Sequence, residues 1–145
     1  SQMTQKRLLF HGNNIKQWIM KNENELSYLI RGATFKVYNR LGPGLLESVY
    51  ERALAYELRK LDLNVECQLG IPMKYDEIRF DVGFRLDILV EGLVIVEIKS
   101  LERLSEVHYK QVITYLKLTD KKLGLLINFN TASIAKSIFR IVNNL

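Results

Sequence analysis

The stretch Arg85-Leu86-Asp87-Ile88-Leu89-Val90-Glu91-Gly92-Leu93-Val94-Ile95-Val96-Glu97-Ile98-Lys99 restricts the fold more than any other part of the chain. Two apolar, β-branched runs are broken by Glu91-Gly92, the pattern of a hairpin. Side chains alternate along a strand, so Val94, Val96 and Ile98 share one face. Glu97 and Lys99 fall on the other, beside Ile95. Charges at the end of so apolar a strand are costly to bury unless they are paired or hold a metal. Asp87 brings a second carboxylate from the partner strand. The plain alternative is a hairpin end with solvated charges. Asp120-Lys121-Lys122 shows how easily an acid-x-Lys pattern arises in a turn.

Register decides whether the two acids meet. A two-residue turn at Glu91-Gly92 pairs Val90 with Leu93, and so Asp87 with Val96, on the face away from Glu97. A three-residue loop, Glu91-Gly92-Leu93, pairs Val90 with Val94 and Asp87 with Glu97. A β-bulge near either acid has the same effect. Gly92 suits the positive φ that such a loop often needs. A shared site therefore requires one extra residue on one strand.

The chain has 145 residues, enough for one domain with a sizeable core. Hydrophobic residues make up 48%, which argues against disorder. No apolar run approaches the roughly 20 residues that span a bilayer, and no secretory signal pattern is present. Cys67 is the only cysteine, so no intrachain disulfide forms; a cytoplasmic location is the expectation. One cysteine with His11 and His108 also excludes a Cys/His zinc site. The net charge is +5. Residues 1–40 carry seven Lys/Arg against two Asp/Glu, while the remainder balances, so the excess is N-terminal. That is either a footprint for a polyanion or a solvated positive end.

Ser1-Gln2 ahead of Met3 resembles a cloning remnant and carries no weight in the fold. Residues 1–24 read as an extension, with Ile15, Trp18, Ile19 and Met20 forming one short amphipathic turn. This segment is expected to order only if Trp18 docks on something, in a homodimer or against a partner. Residues 25–145 read as the domain. Asn24 is placed to cap a first helix, with Glu25 in its first turn and Leu26, Ile30, Ala33 and Val37 at helical spacing. Leu41-Gly42-Pro43-Gly44 ends it, and a second helix follows from about Leu45 to Leu61. Strands are expected over Val65–Leu69, continuing into Ile71–Tyr75, and over Ile78–Val82, before the hairpin at 85–99. Ser105 can cap a third helix from Glu106 to about Leu118. Leu123 to Phe129 reads as a buried strand. The tail suits a helix by Ile134, Ile138 and Ile141, and a strand by Phe139 to Val142. The order α-α-β-β-β-β-α-β, with one uncertain last element, implies an α/β (α+β) fold: a central mixed β-sheet flanked by helices.

Two other stretches carry polar groups at telling positions. Glu47 opens the second helix, where the helix dipole favours a carboxylate, and Tyr50 follows at i+3. An ordinary N-terminal acid explains Glu47 equally well. His108, Gln111 and Tyr115 line one face of the third helix, directly after the Glu-x-Lys strand. They either overhang the strand's end or form the polar outside of an amphipathic helix.

Leu41-Gly42-Pro43-Gly44-Leu45-Leu46-Glu47-Ser48-Val49-Tyr50 resembles the signature of the GxxExxY family. So do Asp87 to Lys99, His108-x-x-Gln111-x-x-x-Tyr115 and Gly124 to Phe129. Four stretches match in order over about residues 25–142. That family is placed in the PD-(D/E)XK nuclease superfamily. The resemblance implies a restriction-endonuclease-like core and a site of Glu47, Asp87, Glu97, Lys99 and Gln111, each present as the expected type. Asp87, Glu97 and the Ile98 carbonyl then offer hard oxygen ligands to Mg²⁺ or Mn²⁺, with Glu47 completing the shell through water or a second ion. Lys99 holds the attacking water and stabilises developing charge. Gln111 orients water or phosphate; Tyr50, His108 and Tyr115 support. The expected substrate is DNA or RNA, held by salt-sensitive contacts to its backbone. A non-catalytic nucleic-acid-binding or assembly module with the same fold is the rival, and a small structural domain docking through the Trp18 segment a third reading.

Overall fold

The computed structural model describes residues 6–10 and 16–145, with side chains from residue 21 onward. Strands β1 (Lys6–Phe10) and β2 (Lys16–Met20) pair antiparallel as a separate two-stranded sheet. The expected amphipathic turn around Trp18 is therefore a strand, with Trp18 opposite Leu8; Ile15 lies outside the described residues. Alternating Lys16, Trp18 and Met20 against Gln17 and Ile19 suits an extended chain as well as a turn, and pairing with β1 decides it.

Helix α1 spans Glu23–Leu41 and is capped by Asn22, not Asn24. The Glu25 N–H donates to Asn22 Oδ1 at 2.9 Å, and the Asn22 N–H donates to Glu25 Oε1 at 3.3 Å. Such a reciprocal box requires the acid three residues after the cap, which Asn22 satisfies and Asn24 does not. Helix α2 (Glu47–Lys60) begins two residues later than its apolar pattern suggested, because Leu45 and Leu46 belong to the loop leading in.

Strands β3 (Val65–Tyr75), β4 (Ile78–Val90), β5 (Val94–Lys99), β6 (Leu123–Asn128) and β7 (Ile138–Val142) form one mixed sheet in that order. Three strands of this sheet, not four, precede α3 (Glu106–Thr119), because Ile78–Val82 and the first arm of the hairpin are one strand. Gly83 does not break it. A Cβ there would come within 2.3 Å of the Met73 side chain on β3, so the glycine makes room for its neighbour. The tail resolves as a 3-10 turn at Ile134–Lys136 followed by β7.

β5 and β6 run parallel; the remaining neighbours are antiparallel. All six residues of β6 are buried, as its unbroken apolar run requires. One face of the sheet (Ile88, Val90, Val94, Val96, Leu125) packs on α1 and α2. The other (Leu89, Ile95, Leu126) packs on Val112 and Leu116 of α3. The fold is thus an α+β sheet with helices on both faces, and the charged end of β5 lies between these layers.

Candidate active site

The hairpin adopts the three-residue loop. Val90 stands opposite Val94, Leu89 opposite Ile95 and Ile88 opposite Val96. Glu91 and Gly92 both have positive φ, 53° and 65°, a conformation glycine takes without strain. The loop is pinned from both sides. The Asn64 N–H donates to Glu91 Oε2, and Lys121 Nζ donates to the Gly92 carbonyl, each at 2.8 Å. A one-residue slip would break both bonds and exchange the faces of the strand.

The next pair along this register is Asp87 with Glu97, and there the regular ladder ends. The Asp87 N–H donates to Glu97 Oε1 at 3.2 Å, and the Ile98 N–H donates to Asp87 Oδ2 at 2.9 Å. Side-chain carboxylates take the places of backbone carbonyls, which lets β4 splay from β5. On the other side β3 and β4 roll over at the same point. Cys67 and Ile88 pack with the α1/α2 layer, whereas Leu69 and Leu86 pack with the α3 layer. In a regular strand residues two apart share a face. The switch falls at Gln68, whose φ is +51°. Its side-chain amide donates to Glu51 Oε1 and, at 3.4 Å, to Asp87 Oδ1.

These distortions open a cleft of about 370 Å³ lined by Glu47, Ser48, Glu51, Gln68, Asp87 and Ile98. Glu97 lies against Asp87 but outside this wall, only 3% exposed. Burial pushes its carboxyl up to about 8, and the neighbouring Asp87 carboxylate pushes in the same direction; Lys99 only partly opposes them. Tyr115 on α3 is reached by the same charges. Burial, then Glu97 and Asp87, raise its phenol. Its ring stacks on Phe84 at 4.5 Å.

The Gly44-to-Tyr50 stretch has a structural logic of its own. Tyr50 is fully buried and stacks on Phe129 at 4.3 Å with planes 5° apart. Its hydroxyl donates to the Gly42 carbonyl at 2.6 Å and accepts the Leu45 N–H at 3.1 Å. Gly44 between them has φ +97°. The tyrosine staples the loop that delivers Glu47 to the cleft. From the facing side, Ser100 Oγ donates to the Leu45 carbonyl at 2.7 Å, and the Ser100 N–H approaches Glu47 Oε1 at 3.4 Å. Buried Asn128 bonds both the N–H and the carbonyl of Leu101, fixing the chain just past Lys99.

The structure therefore brings Glu47, Asp87 and Ile98 into one cleft, with Glu97 touching Asp87. Lys99 is half-buried at the end of β5 and has no ion-pair partner among the described residues. Gln111 lies one turn before Tyr115, half-buried, and no hydrogen bond joins it to either acid among the described residues. His108 is spent at the helix start, where its Nδ1 accepts the Ser105 N–H at 2.9 Å. Glu51 and Gln68 were missed from sequence. Glu51 carried a signal, since it follows Glu47 at i+4 on the same helical face. Gln68 carried none, because a left-handed residue inside a strand cannot be read from local pattern.

The donor set suits a hard cation in its chemistry: two touching carboxylates, neither ion-paired among the described residues, whose mutual repulsion a divalent ion relieves. It stops short of a closed shell, since the described residues contain no group of three His, Cys, Asp or Glu that could hold a metal. A larger cleft of about 570 Å³ between α1 and α2 contains none of these residues, and its carboxylate, Glu57, is neutralised by Lys36 and Lys60 at 3.2 Å each.

A family model of the PD-(D/E)XK nuclease superfamily matches residues 24–141. The chain belongs to the PD-(D/E)XK nuclease superfamily. The mixed sheet with its three helices is the restriction-endonuclease-like architecture of that superfamily. No curated protein and no solved structure gives a significant match. Among the described residues, no helix of this superfamily member is long and apolar enough to cross a membrane.

Proposed function

We propose that this chain is a divalent-metal-dependent phosphodiesterase acting on DNA or RNA, of the GxxExxY branch of its superfamily. The observation that carries the reading is the touching pair Asp87 and Glu97, set opposite each other by the three-residue loop at the rim of an acidic cleft. Asp87, Glu97 and the Ile98 carbonyl are the residues that would hold Mg²⁺ or Mn²⁺, with Glu47 contributing through water or at a second ion. When bound, the ion supplies charge neutralisation at the phosphoryl oxygens and acidifies water. Lys99, at the end of the same strand, orients the attacking water and stabilises the charge that develops on the phosphate. Gln111 orients the phosphate from α3. Tyr50 positions Glu47, Tyr115 holds α3 beside the acids, and His108 fixes the start of that helix.

The absence of a three-residue ligand cluster among the described residues favours one rival, a nucleic-acid-binding module that has kept the fold without the chemistry. One assay separates them. Wild type and Glu97→Ala are incubated with single- and double-stranded DNA and RNA in Mg²⁺ or Mn²⁺. The enzyme reading expects cleavage that needs the metal and disappears in Glu97→Ala. Binding without cleavage in any metal supports the module.

A further inference from the structure

The candidate cleft adjoins a second one, of about 390 Å³, and the two share Glu51 as a lining residue. The second is lined by Arg52, Ala55, Tyr56 and Arg59 of α2, with Cys67 of β3 opposite. Arg52, Tyr56 and Arg59 stand at i, i+4 and i+7, so they form one stripe about 10 Å long along the helix. Arg52 is exposed, and its guanidinium has no partner among the described residues. Arg59 donates to the Val65 carbonyl at 2.8 Å and lies 3.9 Å from Cys67 Sγ, but no carboxylate neutralises it among the described residues. Tyr56 is 61% exposed, with Lys60 Nζ 5.2 Å from its ring centroid. Glu51, the one acid in this second cleft, is turned toward the Gln68 amide.

Two uncompensated guanidinium groups on either side of an exposed aromatic ring match a nucleic-acid strand, with anionic phosphates at the cations and a base on the ring. We propose that the groove along α2 binds a single-stranded segment of nucleic acid leading away from the Asp87/Glu97 cleft, Arg52 and Arg59 taking phosphates and Tyr56 stacking on an unpaired base. The strand is single because a duplex keeps its base faces inside its own stack. The inference rests on the nuclease reading and names where the substrate of that site lies.

The test is fluorescence anisotropy on the full chain in EDTA at several salt concentrations, with labelled single-stranded DNA, single-stranded RNA and duplex DNA of one sequence. Cleavage in Mn²⁺ is followed in parallel, and the melting temperature of each variant reports folding. Tyr56→Ala should lower single-strand affinity roughly tenfold and leave duplex affinity within about twofold. Arg52→Ala should reduce the salt dependence for single strands by about 0.7 in the log–log slope, the contribution of one phosphate contact. Comparing the DNA and RNA arms shows which sugar the groove takes. If folded Tyr56→Ala and Arg52→Ala bind single strands as wild type does, or if Tyr56→Ala weakens duplex and single strand alike, the groove assignment is wrong. Wild-type cleavage in Mn²⁺ would then leave the nuclease reading standing. If wild type neither cleaves nor binds any of the three, the nuclease reading fails and the groove with it.

Discussion

Glu97 makes the sharpest demand on the surroundings of a single side chain. Burial, and then the Asp87 carboxylate, pushes its carboxyl up from 4.5 to about 8. A native pKa above the unfolded one means that between these values the native state binds more protons than the unfolded chain. Stability of the metal-free protein should therefore be highest, on this group's account, below about 4.5 and fall as the pH rises through about 8. Glu97→Gln, neutral and nearly isosteric, should raise the melting temperature in EDTA, and by more at pH 8 than at pH 5. An equal effect at both, followed by calorimetry, would contradict the rise that burial and the Asp87 charge impose on this carboxyl. Lys99 is expected to act chiefly in the transition state. Lys99→Ala should lower turnover roughly 10²-fold, while metal and substrate affinity change much less. Collapse of binding in step with turnover would make Lys99 a phosphate anchor. At this scale strand alternation and helix position, both local properties, singled out the two hairpin acids, Lys99 and Glu47 as candidates, while a plain structural reading of each stayed open until the family resemblance was weighed. Glu51 stood in plain view at i+4 from Glu47, but its relevance depends on where β3 bends.

Elements place these residues, and two devices do most of the placing. The hairpin loop sets Asp87 opposite Glu97, and its three-residue length could be named in advance as one of two registers but not chosen. What chooses it lies outside the hairpin, in the bonds from Asn64 and Lys121. The second device is Tyr50. Tyr50→Phe keeps the stack on Phe129 but leaves the Gly42 carbonyl and the Leu45 N–H without their partner. The expected cost is about 0.5–1.5 kcal/mol in urea unfolding, the net worth of a hydrogen bond where water can reach the groups left behind. Activity should also fall, because the loop carrying Glu47 loosens. A variant as stable and as active as wild type would show that the hydroxyl does not hold the loop. Sequence reading took Ile78–Val82 and the first arm of the 85–99 hairpin as separate strands, with Gly83 between them. The glycine instead accommodates Met73 across the ladder, a tertiary reason with no local trace.

On the scale of the whole molecule, the layers follow from periodicity: α1 and α2 on one face, α3 on the other, and β6 buried between. The crossing of β3 and β4 from one layer to the other does not follow, because it arises from Gln68 and Asp87 acting together across two strands. We take the chain before Lys21 to be an extension separable from the domain, a few residues shorter than the 1–24 expected from sequence, because Asn22 caps α1 and Glu23 opens it. The Asn22–Glu25 box and the whole of α1 lie from Asn22 onward. A chain starting at Lys21 should therefore unfold cooperatively at nearly the full chain's melting temperature, and a broad transition by circular dichroism would show that the extension completes the fold. The central claim is that Asp87 and Glu97 form a divalent-metal centre, and a thermal-shift titration with Mg²⁺ and Mn²⁺ tests it most directly. A ligand that binds only the native state stabilises it, by about 2.7 kcal/mol at a hundred times its dissociation constant. Wild type should melt progressively higher as the metal reaches millimolar levels, while Asp87→Asn should not respond. No shift in wild type, or the same shift in both proteins, would contradict the metal centre.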